Sequence, residues 1–535
     1  MPLARQQGPF AVGAIDLEVP VREPRSFATD IVDPSRINRP SSKSRKSRTT
    51  AGGSSKRASS SPERGQHGDS RSASDDAPNE GNDGLPQWSP LAHGSKTSTL
   101  HLSTVLFTVY YPCAGDGKDL DDNYRRTAWL GRPKRKGVKA LFSYLSQYGI
   151  AGPFAAVPAS PAVATLLAAK MCVWAGPALA DPQDPRARAP PPQNRPTVGL
   201  FGHEPASFPV IVFSHGLAGS RLAYSQYCSE LASQGIVVAA IEHRDGSGIA
   251  SVVRPPIYPQ LARKDQSAEN AQQSKHSSKP WKRGHPKAAV PYFTFEAVGL
   301  RSFPTDPSER EVGMRQAQLA MRCAEIEECL HVLKRIAEGD GAAVAKESTR
   351  SLTSKLGGRP HTRKGLPGSL LEDESNLKCW AGKIDVDYPA LAGHSFGGAT
   401  ALELLRGPDP PFPFAMILDP WVEPLIIDDS EPRPLRAPVY VMNSESFTLW
   451  GSHFDKVKRL AGDAQHANRE NRGWLMTLAG SEHLSFSDYP LLLPRIFRTT
   501  ISPRSAIEIY TRATLVQVGL LRQRYRERAD QPGIK

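Results

Sequence analysis

Gly393-His394-Ser395-Phe396-Gly397 is followed at once by Gly398, Ala399 and Thr400. Before it stands Val386-Asp387-Tyr388-Pro389-Ala390-Leu391-Ala392, short and mostly apolar, as a buried strand should be. After it comes Ala399-Thr400-Ala401-Leu402-Glu403-Leu404-Leu405, a good helix former. Strand, tight glycine-flanked turn and helix are the context that makes a G-x-S-x-G pattern a nucleophile elbow. The turn is so sharp that only small residues fit two positions either side of Ser395. Its hydroxyl is pushed out at the top of a sheet, beside a helix N-terminus that favours developing negative charge.

Outward from the elbow, apolar runs alternate with helical ones. Residues 209–217 read as a buried parallel-type strand ending in His215-Gly216-Leu217, and a helix over 223–234 is stopped by Gly235. Another apolar strand follows over 236–243. Residues 309–338 have the spacing of a long amphipathic helix. Strands are expected over 414–418, 437–443 and 474–480, and a closing helix over 510–522. This alternation specifies a parallel sheet with crossover helices. The expected architecture is an α/β-hydrolase fold, with a mostly parallel central sheet and helices on both faces.

Ester hydrolysis by a serine needs a base to take the hydroxyl proton, a carboxylate to orient that base, and two N–H donors for the oxyanion. In this fold the order is Ser, Asp, His, each near the C-terminal end of a strand. Ser395, Asp419 and His483 satisfy both conditions. His394, His215 and His453 rank below His483 as bases: the first points elsewhere in an elbow, the second lies on the oxyanion loop, and the third follows no strand. Asp428 and Asp429 lie past the strand end and are expected to face solvent. The backbone N–H groups of Leu217 and Phe396 are the expected oxyanion donors. The chemistry asks for no metal and no organic cofactor.

Residues 1–95 are rich in Ser, Arg, Gly and Pro with few aromatics, and read as a disordered basic tail. The catalytic domain is expected over 96–525, with polar insertions near 251–290 and 339–376. The apolar but proline-broken stretch 150–180 suits a lid or the wall of a cleft, or loose packing. The net charge of +13 is concentrated in 36–71 and 254–287. No nucleic-acid motif accompanies these runs, so they read as solvated segments without a specific nucleic-acid partner. The six cysteines have neither zinc spacing nor a disulfide pattern. No signal peptide or transmembrane helix is legible, and a cytoplasmic protein, at most peripheral to membranes, is expected.

With these segments in hand the chain resembles the platelet-activating factor acetylhydrolases of the plasma and intracellular type II class, calcium-independent phospholipases A2. The matching stretches are Phe213-Ser214-His215-Gly216-Leu217, Leu231-Ala232-Ser233-Gln234-Gly235, Val238-Ala239-Ala240-Ile241-Glu242-His243-Arg244-Asp245, the elbow through Thr400, Leu418-Asp419-Pro420-Trp421, Asn443-Ser444-Glu445 and Gly480-Ser481-Glu482-His483. The Glu-His-Arg-Asp and Leu-Asp-x-Trp runs are far more specific than the elbow. The resemblance implies the same triad and oxyanion hole, an intracellular fungal-type member, and hydrolysis of short or oxidised sn-2 acyl groups from glycerophospholipids, with transient membrane-surface contact. The tail and the two insertions look longer than the family needs. Two other readings stand beside it: a general carboxylesterase for soluble esters, and a non-catalytic hydrolase-fold scaffold.

Overall fold

A computed structural model describes residues 3–27, 100–131 except 116, 134–142 in part, 161–188, 207–253, 288–300 in part, 301–350, 375–428, 430–438 in part, 439–467 and 473–529. Six strands form the parallel part of one ten-stranded sheet: β5 (Phe208–Ser214), β6 (Val237–Ile241), β9 (Ile384–His394), β10 (Ala415–Leu418), β11 (Val439–Ser444) and β12 (Trp474–Leu478). Four more complete it: β1 (Ala11–Ser26), β2 (His101–Cys113), β3 (Arg126–Ala128) and β4 (Lys170–Ala175). The order is β12-β11-β10-β9-β5-β6-β2-β1-β4-β3. β2 runs antiparallel to both β6 and β1, while β1 and β4 are parallel. This is the α/β-hydrolase fold with two extra strands at one edge.

The apolar runs form strands because both of their faces are covered. In β5, Val210 and Val212 enter one core and Ile211 and Phe213 the other; β9 divides Leu391 from Ala390 and Ala392 in the same way. Helix α1 (Ser225–Ser233) and helix α6 (Pro503–Ala529) cover one face of the sheet. Helices α2 (Glu309–Arg335), α4 (Phe396–Leu405) and α5 (Gly451–Ala467) cover the other. The start of α2 is fixed by a capping box: Ser308 Oγ accepts the Glu311 N–H, and the Glu311 carboxylate accepts the Ser308 N–H at 2.8 Å.

The structure revises several expectations. Residues 11–26, expected within a disordered tail, form β1, which pairs with β2 along most of its length. Ile15, Leu17 and Val19 fill one core, and Val12 and Ala14 the other. Its acids are buried too, because arginines distant in sequence meet them. Asp16 pairs with Arg221 at 2.9 Å, and Glu18 pairs with Arg244 and Arg350, each at 2.6 Å. The rest of that tail, 28–95, lies outside the described residues.

The stretch 150–180 is described only from 161. There it is a helix, Pro161–Ala168, and then β4, whose Met171 and Val173 are core residues. Its apolar character therefore serves the sheet edge. The insertion residues 254–287 are not described, but the flanking β7 (Ala250–Val253) and β8 (Ala288–Pro291) pair as antiparallel strands. Residues 351–374 are likewise outside the description. Before them α3 (Gly341–Glu347) buries Val344, so the second insertion begins later than its composition suggests.

Candidate active site

β9 ends at His394, and Ser395 turns the chain into α4 with φ 57° and ψ −122°. A side chain at Gly393 would run into the Gly397 backbone, and one at Gly397 into the Ser214 carbonyl, so the turn closes only with glycine at both positions. The Ser395 N–H donates to the Leu418 carbonyl, and the Ser395 carbonyl accepts the N–H of Trp421. The end of β10 and the residues just after it thus hold the turn from both sides.

β10 delivers Asp419, itself at φ 44° and fully buried. The short turn after β12 delivers His483. His483 Nε2 lies 2.9 Å from Ser395 Oγ, and His483 Nδ1 lies 2.6 Å from Asp419 Oδ2. The three residues named from their strand-end positions are therefore within hydrogen-bond reach in that order. The His483 side chain keeps 26% exposure, while Ser395 keeps 5%.

Ser444 was not singled out for any role. Its N–H donates to Asp419 Oδ1 at 2.6 Å and its hydroxyl to Oδ2 at 2.7 Å, aiming the carboxylate at His483. Next to it, Glu445 accepts the Gly480 N–H at 2.6 Å, and the Glu445 N–H donates to Ser481 Oγ. The Asn443-Ser444-Glu445 run thus anchors the Gly480–His483 turn. Only the pairing of two distant motifs in space reveals this. Phe447 completes the mount by stacking flat on the His483 ring, 4.0 Å between centroids at 8°.

The other candidates lie elsewhere. His215 and His453 are buried acceptors of backbone N–H groups, from His243 and Val422 respectively. Burial, reinforced for His215 by Arg322, pushes each of them down to about 4. Asp428 is exposed and accepts the Ser430 N–H; Asp429 is outside the described residues. The His394, Asp419 and His483 donor atoms crowd within 4.8 Å, as metal ligands do, but protein hydrogen bonds occupy them: both His394 nitrogens have protein partners, and His483 serves Asp419 and Ser395.

The His215–Leu217 loop reaches the serine closely: a Cβ on Gly216 would stand 2.7 Å from the Ser395 Cβ. Among the described residues, neither the Leu217 nor the Phe396 backbone N–H has an acceptor. Phe396 opens α4, where N–H groups are orphaned and the helix dipole is positive.

The Glu242–Asp245 run, read only as a family mark, lies beneath this loop. Glu242 accepts the Arg221 N–H and guanidinium. His243 Nε2 is 2.8 Å from Ser214 Oγ, and its Nδ1 is 2.6 Å from Glu325 on α2. This is a second serine–histidine–carboxylate row, but it is sealed in the interior. Asp245 pairs with Arg322 at 2.8 Å, and Arg322 donates to the His215 carbonyl at 2.8 Å. Glu242, Arg244 and Asp245 each have an oppositely charged partner, and Arg322 wires the loop to α2.

The profile of one family, described as platelet-activating factor acetylhydrolase, isoform II, matches residues 200–524. A platelet-activating factor acetylhydrolase of Gallus gallus is 29% identical over 314 residues, covering 58% of this chain and 60% of the relative. The chain thus spans less than two thirds of that relative's length. A Schizosaccharomyces pombe protein, named provisionally as a phospholipase A2, is 25% identical over 351 residues, 59% of this chain and 69% of the relative. A ferulic acid esterase structure from Streptomyces cinnamoneus aligns over 97% of this chain and 92% of its own, at 14% identity and a TM-score of 0.43.

Proposed function

The chain belongs to the platelet-activating factor acetylhydrolase family, isoform II, and from that premise we propose that it is a serine esterase removing short acetyl or oxidised sn-2 acyl groups from glycerophospholipids without calcium. The observation that carries this is the row Ser395 Oγ, His483 Nε2 and Nδ1, Asp419 Oδ2, at 2.9 and 2.6 Å, on a strained elbow facing the Leu217 loop. In the proposed mechanism Ser395 Oγ attacks the sn-2 carbonyl carbon as His483 Nε2 takes its proton. Asp419 holds the Nδ1–H and stabilises the imidazolium. The carbonyl oxygen becomes an oxyanion and receives the N–H groups of Leu217 and Phe396. Collapse breaks the bond to the glycerol oxygen, and His483 returns the proton to the departing lysophospholipid. Water, deprotonated by His483, then releases the acid from Ser395.

Lipid is favoured over a soluble ester by what lies beside His483. Leu449 (81% exposed) and Trp450 (42%) lie two and three residues after Phe447, leaving apolar surface at the site's edge that suits contact with a lipid surface. Among the described residues no helix is long and apolar enough to cross a membrane. All six cysteines are free thiols, which suits a reducing compartment and a cytoplasmic protein touching membranes peripherally.

The test is hydrolysis, in chelator, of phosphatidylcholines whose sn-2 chain runs from acetyl to long acyl, with wild type beside Ser395→Ala. Turnover confined to short or oxidised chains and lost in the variant is the expected result. Turnover of soluble esters alone would replace this reading by a general carboxylesterase. A folded wild type that turns over nothing would leave a scaffold.

A further inference from the structure

His394 takes no part in the proton transfers above, yet it is buried between the groups that do. Its Nε2 lies 3.0 Å from the His483 carbonyl oxygen, and its Nδ1 lies 2.8 Å from the Tyr224 hydroxyl. The same hydroxyl oxygen accepts the Gly216 N–H at 3.2 Å. The proton directions follow from chemistry. A carbonyl oxygen can only accept, so His394 Nε2 carries the hydrogen and Nδ1 is the acceptor. Tyr224 therefore donates to Nδ1 and accepts from Gly216, and no hydrogen is left over.

The chain of bonds begins on the oxyanion loop one residue before Leu217 and ends on the backbone of the base. It passes through the residue immediately before the nucleophile. We infer that Tyr224 and His394 are positioning residues that hold the oxyanion loop and the His483 backbone at a fixed spacing across Ser395, so that breaking the chain slows the chemical step more than it weakens substrate binding. This rests on the esterase reading.

The surroundings suit a neutral imidazole that serves as a strut. Burial first, and the neighbouring His483 second, push the His394 pKa well below the usual histidine range, against a smaller upward effect of the hydrogen bond to the His483 carbonyl. The rings of Tyr224, His483 and Phe486 pack around it, and the nearby Asp419 carboxylate is taken up by His483 and Ser444. Burial likewise pushes the Tyr224 hydroxyl up, keeping it a donor. The tyrosine is set by the turn into α1 and the histidine by β9, so two elements packed on one sheet share the strut.

The test uses full-length wild type, Tyr224→Phe, His394→Ala and His394→Gln. It reads kcat and KM on p-nitrophenyl acetate, the rate of fluorophosphonate labelling of Ser395, and thermal midpoints. Nitrogen-15 NMR of histidine-labelled wild type reports the His394 tautomer without requiring turnover. Tyr224→Phe and His394→Ala are expected to lower kcat and labelling about 10- to 100-fold, with KM within about threefold. His394→Gln, whose amide can still donate to the His483 carbonyl, is expected to recover part of the loss. His394 is expected to stay neutral and protonated on Nε2 between about pH 6 and 8.

Unchanged kcat in both disrupting variants would overturn the inference. So would parallel losses of kcat, KM and melting point with no recovery in the glutamine variant. An Nδ1–H tautomer, or a ring that titrates in that window, would remove its basis. Wild type that hydrolyses no ester would sink the esterase reading by itself, and the tautomer would then decide whether the strut exists.

Discussion

Among the described residues, three non-glycine residues have positive φ: Ala218, Ser395 and Asp419. Two carry proposed catalytic side chains, and the third follows the proposed oxyanion donor Leu217. Such conformations persist only where the surroundings over-determine them, and here Leu418 and Trp421 clamp Ser395 while Ser444 and Met442 clamp Asp419. Asp419→Asn should therefore leave the melting point nearly unchanged while lowering kcat about 10⁴-fold, because an amide no longer selects the working His483 tautomer. Ser444→Ala removes one of the bonds aiming that carboxylate and should cost far less, about tenfold. Steady-state kinetics on one short-chain substrate compare the two, and equal losses would assign Ser444 more than aiming. Ser395, Asp419 and His483 were legible in the sequence because each follows an apolar strand. His394 and Ser444 were not, since their work is defined by residues far off in sequence, Tyr224 and Asp419.

At the scale of elements, the parallel strands were readable for a simple reason. Strands buried on both faces are continuous apolar runs, and β5, β6, β10, the second half of β9 and the start of β11 have that form. β1 escaped reading because Asp16, Glu18 and Pro20 interrupt it and a Ser- and Arg-rich stretch follows. Its acids look like surface residues until Arg221, Arg244 and Arg350 come to meet them. Replacing Glu18 with Ala would strand the guanidinium of Arg244, itself only 3% exposed, and unpair Arg350 from the same carboxylate. The expected cost is about 3–5 kcal/mol, read as a lower urea midpoint. A midpoint within experimental error of wild type would show that water or other groups replace the lost carboxylate. The 161–175 segment escaped for another reason: alanine-rich helix and short edge strand carry no period that separates them from loose apolar chain.

For the whole molecule, the buried imidazoles set the response to acid. His215, His394 and His453 have folded-state values depressed by burial, the first and last to about 4. Unfolded histidines titrate near 6.5, so between those values the unfolded chain binds more protons. Stability from these groups is present above about pH 6.5 and is lost as pH falls toward 4. Asp488 opposes them, because burial raises it to about 6 despite its bonds from Ser225, Trp129 and Gln226. Its folded form holds more protons than the unfolded form over the same window, so its contribution grows on acidification. Burial also pushes His243 well below the usual histidine range and Glu325 well above the usual carboxylate range, so four histidines stand against two carboxyls, and the melting temperature should fall from pH 6.5 to 4. Calorimetry across that range checks the sign, and a flat or rising curve would contradict it.

The position of β1 also dictates an order of events during synthesis. The strand at Ala11–Ser26 leaves the ribosome before its sheet neighbours β2 and β4, and well before the arginines at 221, 244 and 350 that neutralise it. Until Arg350 has emerged, a nascent chain carries a β1 whose charge pairing is incomplete. The charge pairing of β1 is therefore completed late, across long stretches of chain whose ends meet slowly. Ribosome-stalled fragments ending before Arg350 should be the ones that chaperones hold longest.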